Sequence, residues 1–173
     1  NEEWLISHEG ESPADEELMK SSASKIVSDI ETFEEHYEDG TLRCKWSGGI
    51  ADDGRFLLEG EDIFYYPNGE VMTKGEDHLG KRIGEYVYFD EDGFKVFQWN
   101  HTNDGFDVLT TYYPGSDNIK TRARFKNKKA EGLAQTFGRN KGNVTGEYQF
   151  SEGVLISKKD LKKEEPSPIG EIF

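Results

Sequence analysis

The sequence predicts a mainly β protein: an extended antiparallel meander of about five β-hairpins, with a helix near the N-terminus. A glycine-and-aromatic pattern returns about every two dozen residues, and turn-forming residues punctuate it. The glycines that lead each copy, spaced 24, 21 and 27 residues apart, are Gly60, Gly84, Gly105 and Gly132. A period in this range indicates one supersecondary unit stacked on copies of itself.

Each copy of the pattern predicts a hairpin. Residues 60–69 read Gly-Glu-Asp-Ile-Phe-Tyr-Tyr-Pro-Asn-Gly and residues 84–93 read Gly-Glu-Tyr-Val-Tyr-Phe-Asp-Glu-Asp-Gly, with looser copies at 105–115 and 132–137. Aromatic and β-branched residues favour strands, and Pro, Asn, Asp and Gly favour the turn between two strands. Residues 33–46 have the same arrangement and predict the first hairpin. The predicted array therefore covers residues 31–157, followed by a charged tail at 158–173.

One copy carries a resemblance to a known repeat. Residues 80–93, Gly-Lys-Arg-Ile-Gly-Glu-Tyr-Val-Tyr-Phe-Asp-Glu-Asp-Gly, resemble the bacterial variant of the MORN repeat, roughly Gly-Lys-x-x-Gly-x-aromatic-x-x-aromatic-x-x-x-Gly. Residues 54–69 fit the same pattern through Gly60, Phe64, Tyr65, Tyr66 and Asn68. The resemblance covers about 33–157 and is close over 54–99; after 105 the spacing drifts. It implies an elongated, curved single sheet that serves as an interaction scaffold. Many bacterial relatives carry a toxin–antitoxin label, and others are exported proteins of unknown role.

The N-terminal segment, residues 1–30, predicts a helix. Ser12 suits the N-cap and Pro13 the first helical position, and acidic residues follow where the helix dipole favours them. Apolar residues recur at helical spacing at Met19, Ala23, Ile26 and Ile30. The expected helix ends near Asp29. It would cap the first repeat with its apolar stripe, or bind a partner groove.

The charge of the chain is unevenly distributed. Of the net charge of −14, residues 1–40 hold −11, from 13 acidic and 2 basic side chains, and residues 41–173 hold −3, from 22 acidic and 19 basic. This distribution argues against nucleic-acid binding, which needs a dominant basic face. The sequence contains no run of about 20 apolar residues, so it predicts no membrane-spanning helix. We expect the partner to be another protein, with a toxin among the candidates. We expect the chain itself to be cytoplasmic or, if a leader was removed before Asn1, exported.

One segment alternates basic residues with uncharged ones. Its cations are Lys120, Arg122, Arg124, Lys126 and Lys128. In a strand this period of two places all five on one face. That face is a solvated surface, a match for the acidic N-terminal segment, or a docking surface for an acidic partner or anionic ligand. The doublets at 65–66 and 112–113 place one ring on each side of the sheet, so Tyr66 and Tyr113 are core residues or further partner-binding candidates.

The chain offers little sign of catalysis. Cys44 and His36 flank the first hairpin, where a nucleophile and its base could meet, but no orienting third group is indicated. The acidic turns at 52–54 and 90–93 lack the fixed ligand positions of a calcium loop. The histidines do not have the spacing of metal ligands, and the sequence contains no phosphate-binding loop and no nucleophile elbow. The sequence therefore predicts no enzyme activity, no catalytic residue, no metal and no cofactor.

Two function classes remain open from the sequence. The first is a non-catalytic interaction scaffold, in its sharpest form an immunity-like or antitoxin-like protein that covers and blocks a partner protein. The alternative is an exported or lipoprotein-type structural protein with an unknown ligand. Oligomeric state is not indicated, although open sheet ends are able to pair.

Overall fold

The fold is a single open sheet in a computed structural model that describes residues 24–102 and 104–161. Twelve strands pair antiparallel, and their spatial order follows the sequence except that β3 lies beside β2 alone. The strands are β1 (Glu31–His36), β2 (Leu42–Ile50), β3 (Phe56–Leu58), β4 (Gly60–Tyr65), β5 (Val71–His78), β6 (Lys81–Phe89), β7 (Lys95–His101), β8 (Phe106–Tyr112), β9 (Ile119–Lys126), β10 (Lys129–Phe137), β11 (Val144–Ser151) and β12 (Val154–Asp160). The predicted antiparallel meander is confirmed.

Five hairpins turn at one edge of the sheet, as the repeat predicts. In the second of them the Tyr66 amide donates to the Glu70 carbonyl at 2.8 Å, and the Gly69 amide donates to the Tyr66 carbonyl at 2.9 Å. Gly69 has a φ of 89°. The register shifts between Phe64 and Tyr65, at the base of this turn. A tight turn followed by a glycine bulge explains why these hairpins need a left-handed residue, which glycine adopts without steric cost.

The opposite edge uses a different turn. Three hairpins there have two-residue loops in which both residues have positive φ: Leu79-Gly80, Asn127-Lys128 and Glu152-Gly153. This geometry is the type I′ turn, whose twist matches that of the flanking strands. The loop between β9 and β10 contains no glycine, with φ of 49° at Asn127 and 63° at Lys128. A lysine is therefore held in a conformation that glycine adopts more easily.

We expect Lys128→Gly to raise the free energy of unfolding by about 1 kcal/mol, because an Asn-Gly pair fits the type I′ turn without the left-handed penalty. The matched control is Gly153→Ala in the next loop, which should lower stability by a similar amount. Urea unfolding of the two variants and the parent measures both effects. A destabilised Lys128→Gly variant would mean that contacts of the lysine side chain stabilise the fold by more than its backbone conformation costs.

The two faces of the sheet differ in chemistry. The face that carries Phe33, Trp46, Trp99 and Phe125 is called the aromatic face. On this face Phe33 stacks on its cross-strand partner Trp46, with 4.5 Å between the ring centres. The charged face carries the alternate residues of the same strands, beginning with Glu34 opposite Lys45. Among the described residues the buried apolar side chains are Cys44, Ala51 and Val87. Both faces of this single layer therefore reach solvent.

The predicted N-terminal helix does not extend to Asp29. Residues 24–30 are not helical, and Ile26 forms an isolated antiparallel bridge with Ala51. The Val27 amide donates to the Ile50 carbonyl at 2.9 Å, so the segment continues the pattern of the sheet. A backbone partner at the end of β2 outweighs the helical spacing of the apolar residues. The rest of the predicted helix lies outside the described residues.

Candidate functional site

Strand β9 carries four cations along the charged face. Its side chains alternate between half-buried and exposed, and the exposed ones are Lys120, Arg122, Arg124 and Lys126, here called the basic stripe. Arg122 lies opposite Thr110 and Arg124 opposite Val108 on β8. The expectation of five cations on one face is wrong for Lys128. The strand ends at Lys126, and the two-residue turn brings Lys128 to a groove on the aromatic face, beside Trp99.

Three cations of the basic stripe lie over aromatic rings. The Arg124 guanidinium lies 4.1 Å from the centre of the Phe106 ring, and the Lys126 ammonium lies 5.4 Å from the same centre. Arg122 lies 6.0 Å from the centre of the Phe137 ring. Such cation–π contacts are worth about 0.5–1 kcal/mol at exposed sites. They hold the charged groups in place while leaving their hydrogen-bond donors available to a partner.

No carboxylate of residues 24–102 or 104–161 lies within 4.0 Å of a stripe cation. Two other cations of the charged face are paired: Lys45 lies 3.3 Å from Glu34, and Lys74 lies 2.6 Å from Glu61. Arg124 contributes to the lowered pKa of Asp104, but hydrogen bonds from Thr102 and the Phe106 amide are larger causes. The stripe is thus a set of oriented cations without ion-pair partners in the described part of the chain, whose full sequence has a net charge of −14.

The charged face is also divided along its length. Three glutamates on β4, β5 and β6, together with Lys74, line an open concavity of about 440 Å³; they are Glu61, Glu76 and Glu85. The basic stripe lies three strands beyond β6 in the sheet. A binding partner that covers this face would meet an acidic region over β4 to β6 and a basic region over β9.

Tyr66 and Tyr113 connect neighbouring hairpins. The Tyr66 hydroxyl donates to the Phe89 carbonyl at 2.8 Å, and the Tyr113 hydroxyl donates to the Phe137 carbonyl at 2.8 Å. Burial, followed by the neighbouring Tyr88, raises the pKa of Tyr66 to about 12. Both rings are half-buried. The two tyrosines therefore have a structural task, the joining of successive repeats, that the sequence analysis left open beside partner binding.

A buried ionic cluster was missed by the sequence analysis. Arg82 donates to both carboxylate oxygens of Asp62, stacks on Tyr86 with 4.9 Å to the ring centre, and lies 3.5 Å from Asp77. Asp62 and Asp77 are only 6% and 5% exposed. Burial is the main cause that raises the pKa of Asp77, whose Oδ2 has no hydrogen-bond partner. Only the strand register, which sets Asp77 opposite Arg82, brings these groups together.

The suggested Cys–His pair is not assembled. Cys44 lies opposite Glu35 and Phe64, whereas His36 lies opposite Leu42. Cys44 is only 2% exposed, and burial raises the pKa of its thiol, which is the reverse of what an activated nucleophile needs. Within the described ranges, no group of three or more His, Cys, Asp or Glu residues could hold a metal ion. The same residues contain no helix with the length and apolar character needed to cross a bilayer.

No family model, curated protein or solved structure matches the chain. The resemblance to MORN-type repeats therefore stays a prediction.

Proposed function

We propose that this protein is a non-catalytic interaction scaffold that binds an acidic surface of another protein along the basic stripe. The observation that carries the proposal is the absence of a carboxylate partner for Lys120, Arg122, Arg124 and Lys126 among the described residues, while Lys45 and Lys74 on the same face are paired. In a strongly acidic chain, cations without a carboxylate among these residues, three of them held on aromatic rings, favour a partner that supplies negative charge.

The dimensions of the stripe suit a protein partner. Residues 120 and 126 are six positions apart on one strand, which corresponds to about 20 Å at 3.4 Å per residue. A row of this length spans much of a standard interface of about 800 Å² on each side. Arginine is enriched in interfaces, because its planar guanidinium binds carboxylates through two hydrogen bonds. Arg122 and Arg124 lie in the middle of the row and should contribute most to binding.

The test is affinity capture with charge-reversed baits. We expect the double substitution Arg122→Glu and Arg124→Glu to weaken partner binding by about tenfold or more, since each lost charge pair costs binding energy and adds repulsion. The matched control is Lys45→Glu with Lys74→Glu, which produces the same change in net charge on the same face. Binding is quantified for the captured partner by biolayer interferometry at low and high salt.

The control decides the interpretation. A control variant that binds like the parent, beside a stripe variant that does not, supports docking at β9. Equal losses in both variants would attribute binding to net charge and contradict the proposal. Thermal unfolding of each bait establishes that the fold is intact, and exposed ion pairs of this kind contribute only about 0–1 kcal/mol to stability.

The finer form of the proposal is an immunity-like role, in which the scaffold blocks the protein that it binds. It rests on the acidic N-terminal 40 residues, with a net charge of −11, which would speed association with a partner that also carries a basic region. The captured partner is assayed for its own activity with and without the chain. Loss of that activity at stoichiometric ratio supports blocking, and unchanged activity of the saturated complex contradicts it while leaving the scaffold proposal in place.

A further inference from the structure

A second candidate site lies on the opposite, aromatic face. An open groove of about 410 Å³ is formed where β7, β8 and the turn after β9 come together, lined by Trp99, His101, Asp107, Phe125 and Lys128. Small-molecule sites occupy volumes of about 300–1,000 Å³. The groove shares no residue with the basic stripe, so an inference about it does not depend on the proposed function.

The groove combines an apolar wall with a fixed polar pair. Trp99 and Phe125 meet edge to face, with 5.1 Å between ring centres. His101 and Asp107 are cross-strand partners, and His101 Nδ1 lies 2.8 Å from Asp107 Oδ1. The two side chains are 29% and 37% exposed, so solvent reaches both. The Asp107 carboxylate accepts a hydrogen bond from His101 Nδ1 and so fixes the orientation of the imidazole ring.

Lys128 supplies the remaining charge. It occupies the second position of the type I′ turn with a φ of 63°, where glycine would be less strained. This turn takes Lys128 away from the face of Lys126, only two residues earlier, and brings it to the groove. A lysine held in an unfavourable backbone conformation at the rim of a groove indicates a task for its side chain. The His101 ring engages the Asp107 carboxylate, and Lys128 is the cationic side chain among the residues that line the groove.

We propose that this groove binds a small aryl carboxylate, with the flat ring of the ligand against Trp99 and Phe125 and its carboxylate on the Lys128 ammonium. Such a ligand joins one anionic group to one planar apolar ring, which matches a groove with a lysine beside an aromatic wall. Aromatic pairs favour edge-to-face or offset contacts with a further ring, and a charge-assisted hydrogen bond fixes the orientation of the carboxylate.

Isothermal titration of the full chain with 3-phenylpropanoate, and with the neutral 3-phenylpropanamide, tests the assignment. We expect the acid to bind saturably and the amide to bind about tenfold more weakly, because only the acid pairs with Lys128. Lys128→Gln should weaken binding of the acid about tenfold and leave binding of the amide unchanged. The matched control, Lys126→Gln, removes a lysine two positions away on the other face and should leave both affinities unchanged.

Three results would overturn the assignment. Equal affinities for acid and amide would remove the role of Lys128. Equal losses in the Lys126→Gln and Lys128→Gln variants would attribute binding to overall charge. No saturable binding of the acid to the parent chain would show that the groove does not take this class of ligand. Both substitutions lie at exposed positions at the end of β9, so the fold remains intact for the comparison.

Discussion

Asp62→Asn should lower the free energy of unfolding by about 2 kcal/mol, because it removes the buried charge that balances the half-buried Arg82 guanidinium. Asp62 is 6% exposed and accepts two hydrogen bonds from Arg82. The substituted amide has nearly the same shape and still accepts one hydrogen bond. The loss therefore reports the ionic interaction rather than packing. Urea unfolding at pH 7 measures it.

Asp77→Asn is the matched comparison and should have the opposite sign. Burial raises the pKa of Asp77 above its ordinary value of 3.8, and its Oδ2 has no hydrogen-bond partner. Folding thus favours the protonated carboxyl, so stability falls as pH rises from about 4 through the raised pKa. We expect Asp77→Asn to be as stable as the parent below pH 4 and more stable at neutral pH. A variant that loses as much stability at pH 7 as Asp62→Asn would contradict this account.

Gly75→Ala should lower the free energy of unfolding by about 3 kcal/mol, because the added methyl group would overlap the Arg82 guanidinium. A Cβ at this position would lie 2.9 Å from Arg82 Cζ and 2.9 Å from Tyr86 Cδ2, and would approach Arg82 Nη1 more closely still. Gly75 lies opposite Asp62 in the register of β4 and β5. Its lack of a side chain makes room for the guanidinium between the two carboxylates.

A double-mutant cycle separates this contact from general crowding. In an Arg82→Ala background the cost of Gly75→Ala should fall by at least about 1 kcal/mol, because contacting residues couple by 0.5–3 kcal/mol. The overlap with Tyr86 remains in both backgrounds and accounts for the residual cost. Additive effects of the two substitutions would contradict the role assigned to Gly75.

The fold was largely predictable because turn chemistry and alternation are local. Each of the five predicted hairpins is present, and the four lead glycines, Gly60, Gly84, Gly105 and Gly132, all have positive φ. This shared backbone conformation explains their recurrence. The end of the predicted helix was wrong because residues 24–30 are placed by pairing with β2, a tertiary contact that helical spacing cannot indicate. Strand β12 likewise continues to Asp160, into the predicted tail, because β11 offers it an open edge.

The candidate site was predictable only in part. Alternation placed Lys120, Arg122, Arg124 and Lys126 on one face, as the structure has them. Alternation failed for Lys128, because the strand ends at Lys126 and two consecutive residues of positive φ, Asn127 and Lys128, reverse the chain. The Arg82 cluster and the Trp99 groove join residues of different strands. Their assembly depends on bulges and register, which are not readable from spacing along one strand.

The most direct test of the scaffold account is amine labelling of the complex with the captured partner, read by mass spectrometry. The account predicts that Lys120 and Lys126 lose reactivity on binding, while Lys128 on the opposite face and Lys74 in its ion pair keep theirs. Protection of Lys128 with continued labelling of Lys120 and Lys126 would contradict it and place the partner on the aromatic face.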